Sequence, residues 1–131
     1  MEVRTRYLLI ILAVGTLLFL FNLGGRDLWE PDETRYAVVA REMRETGNWV
    51  LPHLNGEIYA EKPPLFFWLI ALSSFLWQGF TSFSARFPSA FFSTLTVLLT
   101  FFLGRKLHGS RTGFLSALIL ATSFEFAYLS T

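Results

Sequence analysis

The sequence predicts an all-α integral membrane fold, a transmembrane helical bundle with an interfacial amphipathic helix in its first loop. Hydrophobic residues make up 53% of the 131, mean hydropathy is +0.45, and the apolar residues come in blocks instead of the 3.6-residue rhythm of a soluble helix. The polar residues gather in one loop, 24–63, which holds eight of the ten acidic side chains. A chain this apolar that concentrates its charge in one place directs the search for chemistry to that loop.

Four blocks are long enough to be spans, 7–23, 64–80, 87–104 and 113–131, since crossing takes about 17 to 25 residues. Arg4 and Arg6 precede the first block, as in a signal peptide. Its apolar core exceeds the usual length of about 7 to 15 residues, however, and no small-x-small cleavage site follows, which favours an uncleaved anchor. The last block runs to Thr131 with no closing polar anchor, the pattern of the N-terminal part of a larger membrane domain. With a cytoplasmic N-terminus, four spans place Arg26, Arg35, Arg41, Arg44, Lys62, Arg105, Lys106 and Arg111 outside and leave Arg4, Arg6 and Arg86 inside, against the positive-inside tendency. The absence of cysteine excludes disulfides and thiolate metal sites, and a net charge of +1 with no basic face gives no nucleic-acid footprint.

Within the loop, residues 31–46 read as a helix, with a proline at its start and Thr46-Gly47-Asn48 as its stop. Tyr36, Val39, Ala40 and Met43 recur at i, i+3, i+4 and i+7, forming one apolar face opposite Glu33, Arg41, Glu42, Arg44 and Glu45. Flanked by Trp29 and Trp49, this helix is expected to lie along the membrane surface, apolar side down. Residues 48–60 lack a lasting period and carry Asn55-Gly56, a turn signal. Pro63 and Pro64 then open the second block, where missing N–H groups cost little.

Two readings stand for each candidate side chain. Asp32 or Glu30 caps the helix, or Asp32, partly desolvated at an interface, acts as a general base. Lys62 lies at the positive pole of the following helix and therefore seeks an anion: it either seats a phosphate or snorkels and pairs with Glu61. Arg35, one turn from Asp32, pairs with it or clamps a phosphate. Tyr36 and Tyr59 read as interfacial belt residues. His53 and His108 have no partner at metal-ligand spacing, whereas Glu125, ionisable within an apolar block, is a functional candidate.

The ordered motifs W-E-P-D-E-T-R-Y-A (29–37), G-N-W-V-L-P-H-L-N-G (47–56), Y-A-E-K-P-P-L-F-F-W-L (59–69) and A-R-F-P-S-A (85–90) resemble the N-terminal part of the GT-C superfamily of polyprenyl-phosphate-sugar glycosyltransferases. The likeness is to the aminoarabinose-transferase and protein-mannosyltransferase-like group, and it covers essentially the whole chain. It implies a bacterial-type inner or plasma membrane enzyme with a cytoplasmic N-terminus and an extracytoplasmic first loop. It also implies inverting transfer from a polyprenyl-phosphate-linked sugar to a lipid or protein acceptor. Asp32 is then the catalytic base with Glu33 beside it, Lys62 holds the donor phosphate, and Arg35 and Tyr59 support it. Glu61 matches a position linked to a divalent metal ion in some members, the one cofactor the resemblance suggests. A non-catalytic lipid-phosphate-binding or transport subunit is the alternative.

Overall fold

The computed structural model describes residues 3–21, 23–25, 27–28, 32–77 and 79–123. Along the chain run α1 (Val3–Gly15) continuing into a π-helical turn (Thr16–Leu20), α2 (Asp32–Thr46), a hairpin of β1 (His53–Leu54) and β2 (Glu57–Ile58), α3 (Leu65–Leu76), α4 (Ser82–His108) and α5 (Ser110–Thr122). The hairpin is a small departure from the all-α expectation. It forms because Asn55 and Gly56 both adopt positive φ, 54° and 83°, the backbone of a tight two-residue turn that only such residues take readily. Glu125 and the segment 29–31 lie outside the described residues.

The chain divides into two units, residues 22–88 and residues 1–21 with 89–131. In the first, the apolar stripe of α2 is buried as the period requires: Val39, Ala40 and Met43 pack with Phe67, Ile70 and Ala71 of α3, with Tyr59 and with Ala85. Burial of side chains such as Phe67, Ile70 and Met43 contributes about 1.5–3 kcal/mol each. The stripe is therefore covered by protein, and the expectation that it faces lipid is corrected. An outward apolar stripe exists instead on α3, where Leu65, Trp68, Leu72, Phe75 and Leu76 are exposed.

The block 64–80 was expected to cross a membrane. Its helix has 12 residues, about 18 Å at 1.5 Å per residue, against an apolar core of about 30 Å. Ser73 and Ser74 turn their hydroxyls back to the carbonyls of Ile70 and Ala71, and the Gly79 N–H closes the end on Ser74 O at 3.0 Å. Hydropathy summed over the block cannot register that stop. Arg44, placed by its period on the solvated face of α2, binds Ser74 Oγ at 3.0 Å. Its guanidinium lies 4.9 Å and 5.0 Å from the ring centres of Phe75 and Phe80, which pins the end of α3 to α2.

α4 is longer than the expected 87–104 block and is the one helix among the described residues long and apolar enough to cross a membrane, with 27 residues and a mean hydropathy of 1.6 over an 18-residue stretch. It begins early because Thr81 and Ser84 cap each other, Ser84 N–H to Thr81 Oγ1 at 3.1 Å and Thr81 N–H to Ser84 Oγ at 2.8 Å. Pro88 lies inside the helix and cannot donate to Ser84 O, four residues back. That orphaned carbonyl accepts the Ser73 hydroxyl of α3.

In the second unit, α1, α4 from Ser89 onward and α5 pack around Ile11, Phe19, Val97, Phe101 and Ala117. Gly109, at φ 91°, ends α4 and starts α5, next to Arg105, Lys106 and His108 in the last turn of α4, where cations complement the helix dipole. Tyr7 stacks on Phe114 with ring centres 4.4 Å apart, so the start of α1 and the α4–α5 turn share one end of this unit. Leu9, Leu12, Phe91, Leu95, Leu99 and Leu103, among others, remain exposed.

Candidate functional site

The candidate residues come together in the first unit, on the N-terminal turns of α2 and the segment leading into α3. Lys62 Nζ donates to the Tyr36 hydroxyl and lies 4.9 Å from the centre of that ring. The Tyr36 hydroxyl, followed by the Asp32 carboxylate and Tyr59, pushes Lys62 above the usual lysine range, so its ammonium persists at any physiological pH. Lys62 and Asp32, thirty residues apart in sequence, thus share an electrostatic environment. Lys62 is exposed, and Glu61, which was considered as its partner, pairs with Arg35 instead, Nη1 to Oε2 at 3.9 Å.

Arg35 is held charged first by the Tyr59 hydroxyl beside it, then by Glu61 and Asp32. The approach of Arg35 to Tyr59 falls outside hydrogen-bond geometry, and Tyr59 Oη is buried with no hydrogen-bond partner among the described residues. At 6% exposure, Tyr59 is no belt residue. Its ring packs edge-on against Phe67, 6.0 Å between centres, and Tyr36 leans on the other side of the same phenylalanine at 5.9 Å. A buried hydroxyl without a partner costs about 1–3 kcal/mol, a cost that an acceptor such as a phosphate oxygen would remove.

Asp32 is the first residue of α2 and is exposed. Neither a hydrogen bond nor an ion pair ties it to another described residue, so the desolvation expected of it is not supplied by this part of the chain. Its carboxylate is available to a ligand. Glu33, expected as a catalytic partner, is engaged elsewhere: both its oxygens accept from Arg86, Nε to Oε1 at 3.0 Å and Nη2 to Oε2 at 2.6 Å. That bidentate pair gives Glu33 a structural partner at the start of α4. For Glu61, no group of three His, Asp or Glu side chains lies close enough to hold a metal ion among the described residues, so no step is routed through a metal here.

Some contributions escaped the sequence. Glu42, taken as a solvated residue of α2, accepts the N–H groups of Asn55 and Gly56 at 2.7 Å and 3.2 Å and so anchors the hairpin that leads to Tyr59. Tyr59 N–H in turn donates to Pro52 O at 2.8 Å. A cleft of about 600 Å³ opens between Gly24–Leu28 and Phe80–Phe83, with Thr34 in its wall. None of the candidate residues lines it.

Known proteins share the sequence pattern and the fold of this chain. The family described as dolichyl-phosphate-mannose-protein mannosyltransferase matches residues 4–131. An undecaprenyl phosphate-alpha-4-amino-4-deoxy-L-arabinose arabinosyl transferase of Pectobacterium carotovorum is 47% identical over 115 residues, 87% of this chain and 20% of that protein. The protein of the same name from Pseudomonas savastanoi is 43% identical over 127 residues, 96% of this chain and 24% of that one. The crystal structure of ArnT from Cupriavidus metallidurans bound to undecaprenyl phosphate superposes with a TM-score of 0.87 at 28% identity, covering 96% of this chain and 23% of that one. The chain thus spans between a fifth and a quarter of the length of these proteins. With a match running from residue 4 to residue 131, the chain belongs to the dolichyl-phosphate-mannose-protein mannosyltransferase family, on its aminoarabinose-transferase-like side.

Proposed function

We propose that the full-length protein is an integral membrane glycosyltransferase that moves a sugar from a polyprenyl-phosphate donor to an acceptor at the extracytoplasmic face, with inversion. The observation that carries this reading is the gathering of Lys62, Arg35, the unpartnered Tyr59 hydroxyl and the free Asp32 carboxylate in one unit, in a chain similar to a protein solved with undecaprenyl phosphate. Asp32 takes the proton of the acceptor oxygen as that oxygen attacks the anomeric carbon. The bond from that carbon to the phosphate oxygen breaks, and the polyprenyl phosphate leaves with the electron pair. Lys62 and Arg35 stabilise the charge growing on the leaving phosphate, and Tyr59 donates to one of its oxygens. An aminoarabinose donor follows from the relatives' names; on the acceptor side we take a lipid such as a lipid A phosphate first and a protein second.

Undecaprenyl phosphate titrated onto the full-length protein tests the seat. Lys62→Met is expected to weaken binding by roughly tenfold or more through loss of one charge-assisted contact. Unchanged affinity would remove Lys62 from the phosphate site.

The fold also suggests a topology. With α3 too short to cross, the described residues between α1 and α4 lie on one side of the membrane, α1 extended by its π-helical turn to Leu20 and α4 are consecutive crossings, and the α4–α5 turn returns to the side of the N-terminus. Arg105, Lys106 and Arg111 then join Arg4 and Arg6 in the cytoplasm, which reduces the conflict with the positive-inside tendency, while Arg26, Arg35, Arg41, Arg44 and Lys62 stay in the outer loop. The stacking of Tyr7 on Phe114 agrees with this arrangement. Cysteines introduced one at a time at Lys106 and Gly56, in a full-length protein otherwise freed of cysteine, can be probed with an impermeant maleimide in intact cells. Labelling is expected at position 56 alone, and labelling of position 106 from outside would overturn the arrangement.

A further inference from the structure

The motif Ala85-Arg86-Phe87-Pro88 marks the start of α4, away from the charges of the proposed site, yet it carries a charged side chain only 4% exposed. Arg86 grips the chain on the approach to α2 at three places. Besides its two bonds to the Glu33 carboxylate, Nη1 donates to Leu23 O at 3.1 Å and Nη2 to Asp27 O at 2.8 Å. A planar guanidinium can serve a carboxylate and two carbonyls at once, whereas an ammonium, with its donors on a single atom, cannot span them. Two residues on, Pro88 frees the Ser84 carbonyl that Ser73 of α3 occupies. The first turns of α4 are thereby bonded both to the start of α2, where Asp32 immediately precedes Glu33, and to α3, which follows Lys62.

From this we infer that Arg86 is a positioning residue for transfer: through Glu33 it fixes the first turn of α2 and with it the place of the Asp32 carboxylate relative to the donor phosphate. The inference rests on the reading of Asp32 as the base. A carboxylate on a loosened first turn still attracts and tolerates the donor, but it meets the acceptor proton at the wrong distance, and a misplacement of about 1 Å at a reacting group costs on the order of 100-fold in rate.

The test is steady-state transfer by the full-length protein carrying Arg86→Lys, Glu33→Gln and both together, with Asp32→Asn and undecaprenyl phosphate affinity measured in parallel. Arg86→Lys is expected to lower kcat by about 10- to 100-fold, with donor KM and undecaprenyl phosphate affinity within about threefold of wild type. The double variant should be no slower than the worse single, because both changes break one clamp. Full kcat in a folded Arg86→Lys protein, or multiplicative losses in the double variant, overturns the inference. So does a loss confined to KM. Should Arg86→Lys not fold, Glu33→Gln decides by the same split between kcat and KM. If Asp32→Asn is inactive while Arg86→Lys and Glu33→Gln are fully active, the clamp fails and the catalytic reading stands; if Asp32→Asn is also active, both fall.

Discussion

Asp32→Asn in the full-length protein is expected to reduce sugar transfer by about 10²- to 10⁴-fold, the usual contribution of a positioned general base, with donor binding nearly unchanged. Asn keeps the size and shape of the side chain and removes its ability to take a proton. Because Asp32 is exposed and bonded to no other described residue, its replacement leaves the packing of α2 intact. Lys62 retains its principal support, the Tyr36 hydroxyl, so the phosphate seat survives. This combination separates a transferase from a subunit that only holds a lipid phosphate: the second would lose function with Lys62→Met and be indifferent to Asp32→Asn. Transfer at wild-type rate by Asp32→Asn would end the proposal that this carboxylate is the base.

Gly113→Leu is expected to have the largest structural effect in the unit formed by residues 1–21 and 89–131. A Cβ at Gly113 would stand 2.5 Å from Phe101 O and 2.6 Å from Arg105 N, and one at Gly104 would stand 2.9 Å from Gly113 Cα. These neighbours are helix backbone, which cannot rotate away as a side chain does, so α4 and α5 meet glycine against glycine. Any side chain at Gly113 forces the helices apart and loosens the packing around Phe101 and Ala117, both fully buried. Overpacking of this kind costs about 1–3 kcal/mol or more, and Gly113→Ala should already lower the thermal midpoint of the detergent-solubilised full-length protein. Gly79→Ala is the control, since nothing lies within 4 Å of its added Cβ. Equal midpoints for the two alanine variants would show that the close helix contact does not hold in solution.

Local pattern carried some elements faithfully. The period of Tyr36, Val39, Ala40 and Met43, with a stop at Gly47, located α2 to within a residue. Asn55-Gly56 located the turn, and Pro63-Pro64 the start of α3. The same reasoning misjudged what the α2 stripe faces, because an apolar face packs equally well on protein and on lipid, and periodicity cannot tell one from the other. It overextended the second block because hydropathy counts Trp77 and Phe80 as apolar without registering that the helix ends at Leu76. For α4 it began too late, since a block read from apolar residues alone leaves out the polar first turn that starts at Ser82.

The candidate site divides in the same way. Asp32, Arg35, Tyr59 and Lys62 were singled out as candidates through the order of their motifs, but the partners the fold gives these segments are remote in sequence. Arg86 and Glu33 are 53 residues apart and Lys62 and Tyr36 are 26 apart, and no local rule pairs residues across such gaps. Glu33 and Asp32 are indistinguishable as neighbouring carboxylates in the sequence, and only the fold engages Glu33 while Asp32 is bonded to no other described residue.

By itself the sequence determined an apolar, mostly helical chain with its charge collected in one loop and its helix starts marked by prolines and turn residues. These features depend on neighbours within one or two turns, where backbone preference and side-chain period act directly. Tertiary structure decided which apolar face is covered, that α3 ends at Leu76 after 12 residues, and that Glu33 is the carboxylate engaged by Arg86. Each of those outcomes depends on contacts between segments that approach one another only once the chain has folded, so their physical cause is not contained in any local window.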